Sequence, residues 1–343
     1  MKLSLSHTTR FVKALFIDRG MSAVDASLVA NVLVWAEARG TDTHGLSRIG
    51  NYLQMIDRED IDPRAAPEVR VDAGAICSLD GKRSAGPVAM SQALAAAQSR
   101  ASQFGVGLCV VGETTHTGAV GYYADKAARD GFVAIVLAAG PPIMAYEGAS
   151  VASVSTAPVA VAVPGGAGGI VLLDMASSLV SNGRLKRAQR NHETIPDSWA
   201  LTADGRRTTD GREANIPLPM AGAKGAGLAL MIECLTSLLA AAPILSAALA
   251  PGGRRRHVQN ATIILIDVAK FRPPSEFARD VDTLAVILRT LPRLEGAQPI
   301  RLPGERGGHQ ADRAADDGLH IDPKTWRQLL EIATERGLTA PTE

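Results

Sequence analysis

The 343-residue chain is short of cysteine, aromatic residues and net charge, and each shortage narrows what it can be. Cys77, Cys109 and Cys234 stand far apart, with no Cys-x-x-Cys pair. Neither a disulfide framework nor a zinc site is expected, and a reducing, cytoplasmic compartment is. A net charge of +1, with no basic arm beyond Arg254-Arg255-Arg256, argues against a nucleic-acid partner. The amino end offers no cleavable apolar core, because Arg10, Lys13, Asp18 and Arg19 interrupt it. The longest apolar candidate for a membrane span, 228–249, carries Glu233 and Pro243 and reads as a core helix with its exit. Nucleotide fingerprints are missing as well. Gly105-Val-Gly107 precedes a strand rather than following one, and Gly222-Ala-Lys-Gly225-Ala-Gly227 has the wrong spacing for a Rossmann turn. Walker, His-Glu-x-x-His and Gly-x-Ser-x-Gly patterns are absent too.

What is present is a globular composition, 46% apolar and 21% charged, long enough for one or two domains. The first seventy residues read as helices. Ser6 is placed to cap one running to about Asp18, and Ser22 with Asp25 resembles a capping box for a second that ends at Gly40. From about residue 70 short β-branched runs alternate with Ala-rich helices. The strands expected are 106–111, 132–138, 158–163, 170–174 and 261–268, with helices over about 87–103, 119–129 and 225–241. The apolar strands suggest burial on both faces, as in an α/β layer. Two further helices, about 275–291 and 323–336, are joined by the Pro/Gly-rich stretch 299–308. Gly165–Gly169 reads as a flexible turn. The expected fold class is α/β: a non-Rossmann central lobe (73–274) clasped by a helical lobe built from both termini (1–72 and 275–343).

The stretch Thr41-Asp-Thr-His44-Gly-Leu-Ser-Arg48-Ile-Gly-Asn-Tyr52 carries the first candidate chemistry. A helix beginning near Thr43 would place His44, Arg48 and Tyr52 on one face and Leu46, Ile49, Leu53 and Ile56 on the other. Such a polar face suits a carboxylate held by charge, with acid–base chemistry one turn away; an ordinary solvated face has the same spacing. Three other places border predicted strand ends or helix starts. Thr114-Thr-His116-Thr-Gly118 lies where α/β proteins gather ligands, though His116 reads equally as a structural histidine. Asp174–Ser178 offers hydroxyls and amides to a phosphate or ribose, or is a polar turn. Gly222–Gly227 combines close backbone approach, the charge of Lys224 and outward helix amides; tight packing would explain the glycines but not the lysine.

Taken in order, these segments resemble the malate/L-lactate dehydrogenase family of non-Rossmann NAD(P)-dependent oxidoreductases. The matching pieces are Arg39-Gly-Thr-Asp-Thr-His44-Gly-x-x-Arg48, Thr115-His116-Thr-Gly-x-x-Gly-Tyr-Tyr123, Leu173-Asp-Met-Ala-Ser-Ser178 with Asn182-Gly183, Ile195-Pro-x-x-Trp199-Ala, Gly205-x-x-Thr208-Thr-Asp210, Pro219-x-x-Gly222-x-Lys224-Gly-x-Gly-Leu228 and Leu302-Pro-Gly-Glu305. The resemblance implies hydride transfer between NAD or NADP and a 2-oxo or 2-hydroxy acid. It makes His44 the proton donor, His116 a second acid–base or polarising group, and Arg48 the carboxylate anchor, with Thr43 and Tyr52 completing the substrate pocket. It assigns Leu173, Asp174, Met175, Ala176, Ser177, Lys224, Gly225, Gly304, Glu305 and Arg306 to the cofactor, requires no metal, and implies a homodimer. Departures from the family pattern stand at Ala139-Gly140-Pro141, Tyr146-Glu147-Gly148, Ser155-Thr-Ala157-Pro158 and Gly211. They leave open two alternatives, a reductase of a cyclic or N-alkyl imino acid and a catalytically weakened binding protein. Arg184, Lys186 and Arg187 are open between a 2′-phosphate contact and a solvated helix face.

Overall fold

The computed structural model describes residues 2–250 and 258–341; the Arg254–Arg256 run lies outside them. Its helices are α1 (Leu5–Asp18), α2 (Ala23–Ala38), α3 (Ile49–Asp57), α4 (Gly86–Phe104), α5 (Val120–Arg129), α6 (Asn182–Asn191), α7 (Ala223–Glu233), α8 (Ile244–Leu249), α9 (Pro274–Arg289), α10 (Glu305–Asp317) and α11 (Pro323–Glu335). The strands are β1 (Lys2–Leu3), β2 (Glu68–Ala73), β3 (Ile76–Asp80), β4 (Val106–Thr114), β5 (Phe132–Ala139), β6 (Met144–Ala145), β7 (Ala152–Val154), β8 (Val159–Val163), β9 (Val171–Met175), β10 (Ala200–Leu201), β11 (Ile216–Pro217), β12 (Gln259–Asp267) and β13 (Leu319–His320).

Seven strands form one open sheet in the order β2-β3-β4-β12-β5-β8-β9, antiparallel except for the β3/β4 pair. Both faces of its middle are covered, as the apolar runs require. On β5, Ala134, Val136 and Ala138 join the core with α4 and α5, whereas Leu137 turns to the other side and packs with Ala229 and Ile232 of α7. That alternation is the two-residue period of a strand. A second core joins the chain ends: Phe11, Leu15 and Phe16 of α1 pack with Leu33, Tyr52, Trp326 and Leu329, and β1 pairs with β13. The helical lobe is therefore built from both termini, against an α/β sheet whose topology is not that of a Rossmann fold. No helix among the described residues is long and apolar enough to cross a membrane.

Local chemistry sets most boundaries. The Ser22 hydroxyl accepts from the Asp25 amide at 3.1 Å and starts α2, as the capping box predicts. The cap of α1 is Ser4 rather than Ser6, its Oγ accepting from the His7 amide. Four expectations change. The helix expected from Thr43 is instead two 3₁₀ turns, Asp42–His44 and Leu46–Arg48, and regular α-helix begins only at Ile49. Gly45, at φ −93° and ψ −142°, breaks the run between them. The β2/β3 hairpin was not expected, although Glu68–Ala73 alternates polar and apolar residues; every β2 residue is exposed. The stretch 299–308 ends inside α10, whose Gly307 and Gly308 weaken the helical signal. The helix expected to reach 241 stops at Glu233 and widens into a π-helical turn over Cys234–Leu238.

Candidate active site

The bend at Gly45 is held from below. Glu37 of α2 accepts the Leu46 amide through Oε2 at 2.8 Å, and a side chain at position 45 would run into that carboxyl. Burial, opposed by this bond and aided by the Asp42 and Asp322 charges, pushes the Glu37 carboxyl up to about 7. The two 3₁₀ turns present His44 and Arg48, both half-buried. Arg48 donates from Nε to the Thr43 carbonyl at 2.6 Å, which fixes the guanidinium and leaves its terminal nitrogens for another partner. No carboxylate among the described residues pairs with Arg48. Thr43 Oγ1 lies 3.1 Å from His44 Nδ1, so the same residue holds both functional side chains. Removal from solvent, then the Arg48 charge, lowers the His44 pKa to about 4, so the free imidazole is neutral at pH 7. Gly183 packs directly on Thr43, and a Cβ there would collide with its methyl.

The His116 loop closes over this bend. The rings of His44 and His116 stack with centroids 5.5 Å apart. Tyr52, on α3, is fully buried, and its hydroxyl lies 2.7 Å from His116 Nδ1 and 2.9 Å from the His116 carbonyl. The Tyr52 phenol is thus engaged by His116, with none of it exposed. Thr117 is held by Gln259, whose Oε1 accepts from both its amide and its hydroxyl at 2.9 and 3.1 Å. Gln259 also fills the space beside Gly140.

The expected cofactor residues converge on the end of β9, an edge strand. The Asp174 carboxylate accepts from the Gly121 amide at 3.2 Å, joining β9 to the start of α5 just past His116. Ser177 accepts the Met220 amide, and Gly225 sits so close to the Met220 and Ser177 carbonyls that any side chain would clash. Leu172 donates its amide to Pro303, and Arg39 donates to the Gly304 carbonyl at 3.0 Å. Leu173–Ser177, Lys224-Gly225 and Gly304–Arg306 therefore border one edge. One expectation fails here: the first amides of α7 do not point outward free. Lys224, Gly225 and Ala226 donate to Ala221, Met220 and Gly222, because positive φ at Ala221 and Gly222 folds the preceding carbonyls back onto the helix start. Charge at this edge comes from side chains instead. Lys224 and Arg306 are exposed and form no ion pair among the described residues, whereas Glu305 is tied to Arg289 and to the Leu302 amide. Arg184 lies over the Trp199 ring and pairs with Glu193, which Arg187 also faces.

Two unpaired cations flanking a strand edge with an exposed Leu173 are a chemically apt set for a dinucleotide, the cations for its phosphates and the apolar edge for a ring. Sequence reasoning missed Glu37 and Gln259. Glu37 had a signal, an acid inside the apolar run Leu33–Ala38; Gln259 had none, being 142 residues from the loop it holds. Of the departures, Ala157 is fully buried in an apolar cluster with Leu137 and Met144.

Comparison with known proteins places the chain in a family. The family model described as malate/L-lactate dehydrogenase matches residues 3–330. The chain is 30% identical to an L-sulfolactate dehydrogenase of Methanocaldococcus jannaschii, over 93% of this chain and 92% of that one. It is 28% identical to the NAD(+)-dependent ureidoglycolate dehydrogenase of Escherichia coli K12, over 97% and 96%. In fold it is similar to the crystal structure of malate dehydrogenase from Entamoeba histolytica, with a TM-score of 0.94 at 24% identity over 100% and 99% of the two chains. The chain belongs to the malate/L-lactate dehydrogenase family.

Proposed function

We propose that this protein is an NAD(P)-dependent oxidoreductase that interconverts a small 2-hydroxy acid and its 2-oxo acid. Arg48 carries the reading. A half-buried guanidinium, fixed through Nε and without a carboxylate partner among the described residues, is costly unless an anion completes it. Its terminal nitrogens form the planar fork that takes a carboxylate in two parallel bonds. His44, one short turn away, is the proton-transfer group. Its neutral ring is ready to take the hydroxyl proton of a 2-hydroxy acid. Burial is the larger cause of the low His44 pKa and the Arg48 charge the smaller; a substrate carboxylate on Arg48 offsets the second, which moves the ring upward for proton donation in the reverse direction. The bound dinucleotide supplies or accepts the hydride. Lys224 and Arg306 hold its phosphates, with the Leu173–Ser177 edge along it. His116 lies against the His44 ring, where both imidazoles border the oxygen of an anchored substrate.

The sulfolactate and ureidoglycolate relatives have substrates with a carboxylate beside a hydroxyl-bearing carbon, which supports a substrate of that class. Arg184 is engaged by Glu193 and Trp199, whereas Lys186 is exposed and forms no ion pair among the described residues, so α6 still offers a cation to a 2′-phosphate and the reading takes either NAD or NADP. A homodimer is part of the same reading. Leu230, Met231, Leu235, Leu238 and Leu239 form an exposed apolar strip along α7 and its exit, suited to a second copy. A panel of 2-oxo acids and cyclic imino acids, followed at the nicotinamide absorbance with NADH and NADPH, tests the proposal. Turnover of 2-oxo acids supports it, turnover of imines alone replaces it, and no dinucleotide binding removes it.

A further inference from the structure

We infer that Arg39 is a positioning residue for the dinucleotide: it ties the Gly304 turn to the last turn of α2, the same helix end that holds the Gly45 bend through Glu37. The inference rests on the oxidoreductase reading above and adds what sets the spacing between the dinucleotide and His44.

Arg39 ends α2. Its guanidinium donates through Nη2 to the Gly304 carbonyl at 3.0 Å, across 265 residues of sequence. It lies over the Trp35 ring, 4.9 Å from the centroid, and Trp35 in turn meets Tyr122 of α5 edge-on. The flat group also packs against Gly307, where an added Cβ would stand 3.2 Å from Nε. No acid among the described residues forms an ion pair with it. Asp125, Asp174 and Asp312 act on it only as more distant charges, and Asp125 is paired with Arg129. A half-buried cation bonded to one carbonyl and stacked on one ring is a fastener for that carbonyl.

The turn it fastens sets the edge of the sheet. Gly304, at φ +88°, faces β9 so closely that a Cβ would come within 2.8 Å of the Leu172 carbonyl. Just before it, the Pro303 carbonyl accepts the Leu172 amide at 3.2 Å. β9 is the last strand of the sheet, so this bond covers its outer side at Leu172. The two-residue period of a strand then turns the Asp174 amide and carbonyl to the same outer side, past the end of the turn. A dinucleotide along Leu173–Ser177 begins where Pro303 stops, so a shift of the turn shifts the dinucleotide along the strand. Arg289 of α9 holds the other flank of the turn through Glu305, which also accepts the Leu302 amide. Arg39 is the tie toward His44.

Both halves of the site are thereby referred to one helix end. Glu37, two residues before Arg39, accepts the Leu46 amide at 2.8 Å and shapes the bend that carries His44 and Arg48. Gly40, one residue after it, packs on the Gln310 side chain of α10. Group transfer between bound partners is sensitive to offsets of about 1 Å, so a shared base for the two bears directly on rate.

The test reads dinucleotide and substrate separately. Arg39→Met keeps an apolar stem and deletes the donor. Fluorescence titration of the purified protein with NADH and NADPH should show Kd for the tighter of the two raised about tenfold, and its KM should rise likewise while KM for the 2-oxo acid stays within about twofold. Arg39→Lys keeps a donor for the Gly304 carbonyl and should return Kd to within about threefold of wild type. Glu37→Ala releases the other contact of the same helix end; it should leave the dinucleotide Kd within about twofold and lower kcat by about tenfold or more. An unchanged Kd in Arg39→Met overturns the inference. So does a loss of equal size in Glu37→Ala, which would mark a general loosening of α2. Should Arg39→Met fail to fold by circular dichroism, Arg39→Gln, polar but too short to reach Gly304, takes its place with the same expected shift. If wild type binds neither dinucleotide, the oxidoreductase reading falls and the inference with it; wild-type binding with an unchanged variant removes Arg39 alone.

Discussion

Replacing Arg48 with methionine keeps the length and apolar stem of the side chain and deletes the guanidinium. Nε is committed to the Thr43 carbonyl at 2.6 Å, so the terminal nitrogens are what a substrate carboxylate meets. Two hydrogen bonds to a charged group contribute about 1.5–3 kcal/mol each, and partial solvent exposure leaves about 2–4 kcal/mol in all. That corresponds to a loss of about 30- to 1000-fold in kcat/KM. Most of it should appear in KM, because the anchor holds ground state and transition state alike. Arg48→Lys should recover only part, since an ammonium cannot reproduce the planar fork. The assay pairs a 2-oxo acid with its methyl ester: wild type should prefer the acid, and the variant should lose that preference. Removing the Arg48 charge should also raise the His44 pKa from about 4, read by NMR titration of the ring. If acid and ester slow equally, or His44 does not move, Arg48 is a structural residue and the anchor is elsewhere.

Further outcomes follow from the same geometry. His44→Asn should lower kcat by about 10²- to 10⁴-fold with a small change in KM, measured by steady-state kinetics. For wild type, kcat/KM in the oxidative direction should stay level with respect to His44 above its pKa of about 4 and fall below it, as a pH profile will show. Glu37→Gln keeps an oxygen for the Leu46 amide but removes the ionisation. The folded protein holds the Glu37 proton up to about pH 7 while the unfolded chain releases it in the ordinary carboxylate range. Wild-type stability should therefore fall across that interval as pH rises, by at most about 3 kcal/mol, and thermal melts of the variant should lose this decline. Gly183→Ala pushes Thr43 away from His44 and should cost about tenfold in kcat/KM without unfolding the protein, checked by circular dichroism.

Much of this architecture is written in local chemistry. Ser22 caps α2, β-branched runs mark β4, β5, β8, β9 and β12, and the apolar faces of α1 and α11 meet in one core. The β2 strand was overlooked although Glu-Val-Arg-Val-Asp-Ala alternates with the strand period; Val69 and Val71 stay exposed, so the alternation buries no face. The bend at Gly45 was misread for a different reason. His44, Arg48 and Tyr52 have helical spacing, but the Glu37 carboxyl from another helix takes the Leu46 amide and the chain breaks at Gly45. Arg48 stays half-buried on the bend, whereas the Tyr52 phenol is fully buried and bonded to His116. The clamp of Thr117 by Gln259 joins residues 142 apart and leaves no periodic trace in either segment.

The most direct measurement is a crystal structure of the protein with NADH and oxamate, an unreactive analogue of a 2-oxo acid. The account predicts the oxamate carboxylate on the terminal nitrogens of Arg48, its carbonyl oxygen between His44 and His116, and the dinucleotide along Leu173–Ser177 with Lys224 at its phosphates. Oxamate bound away from Arg48, or a dinucleotide on another edge of the sheet, would contradict it.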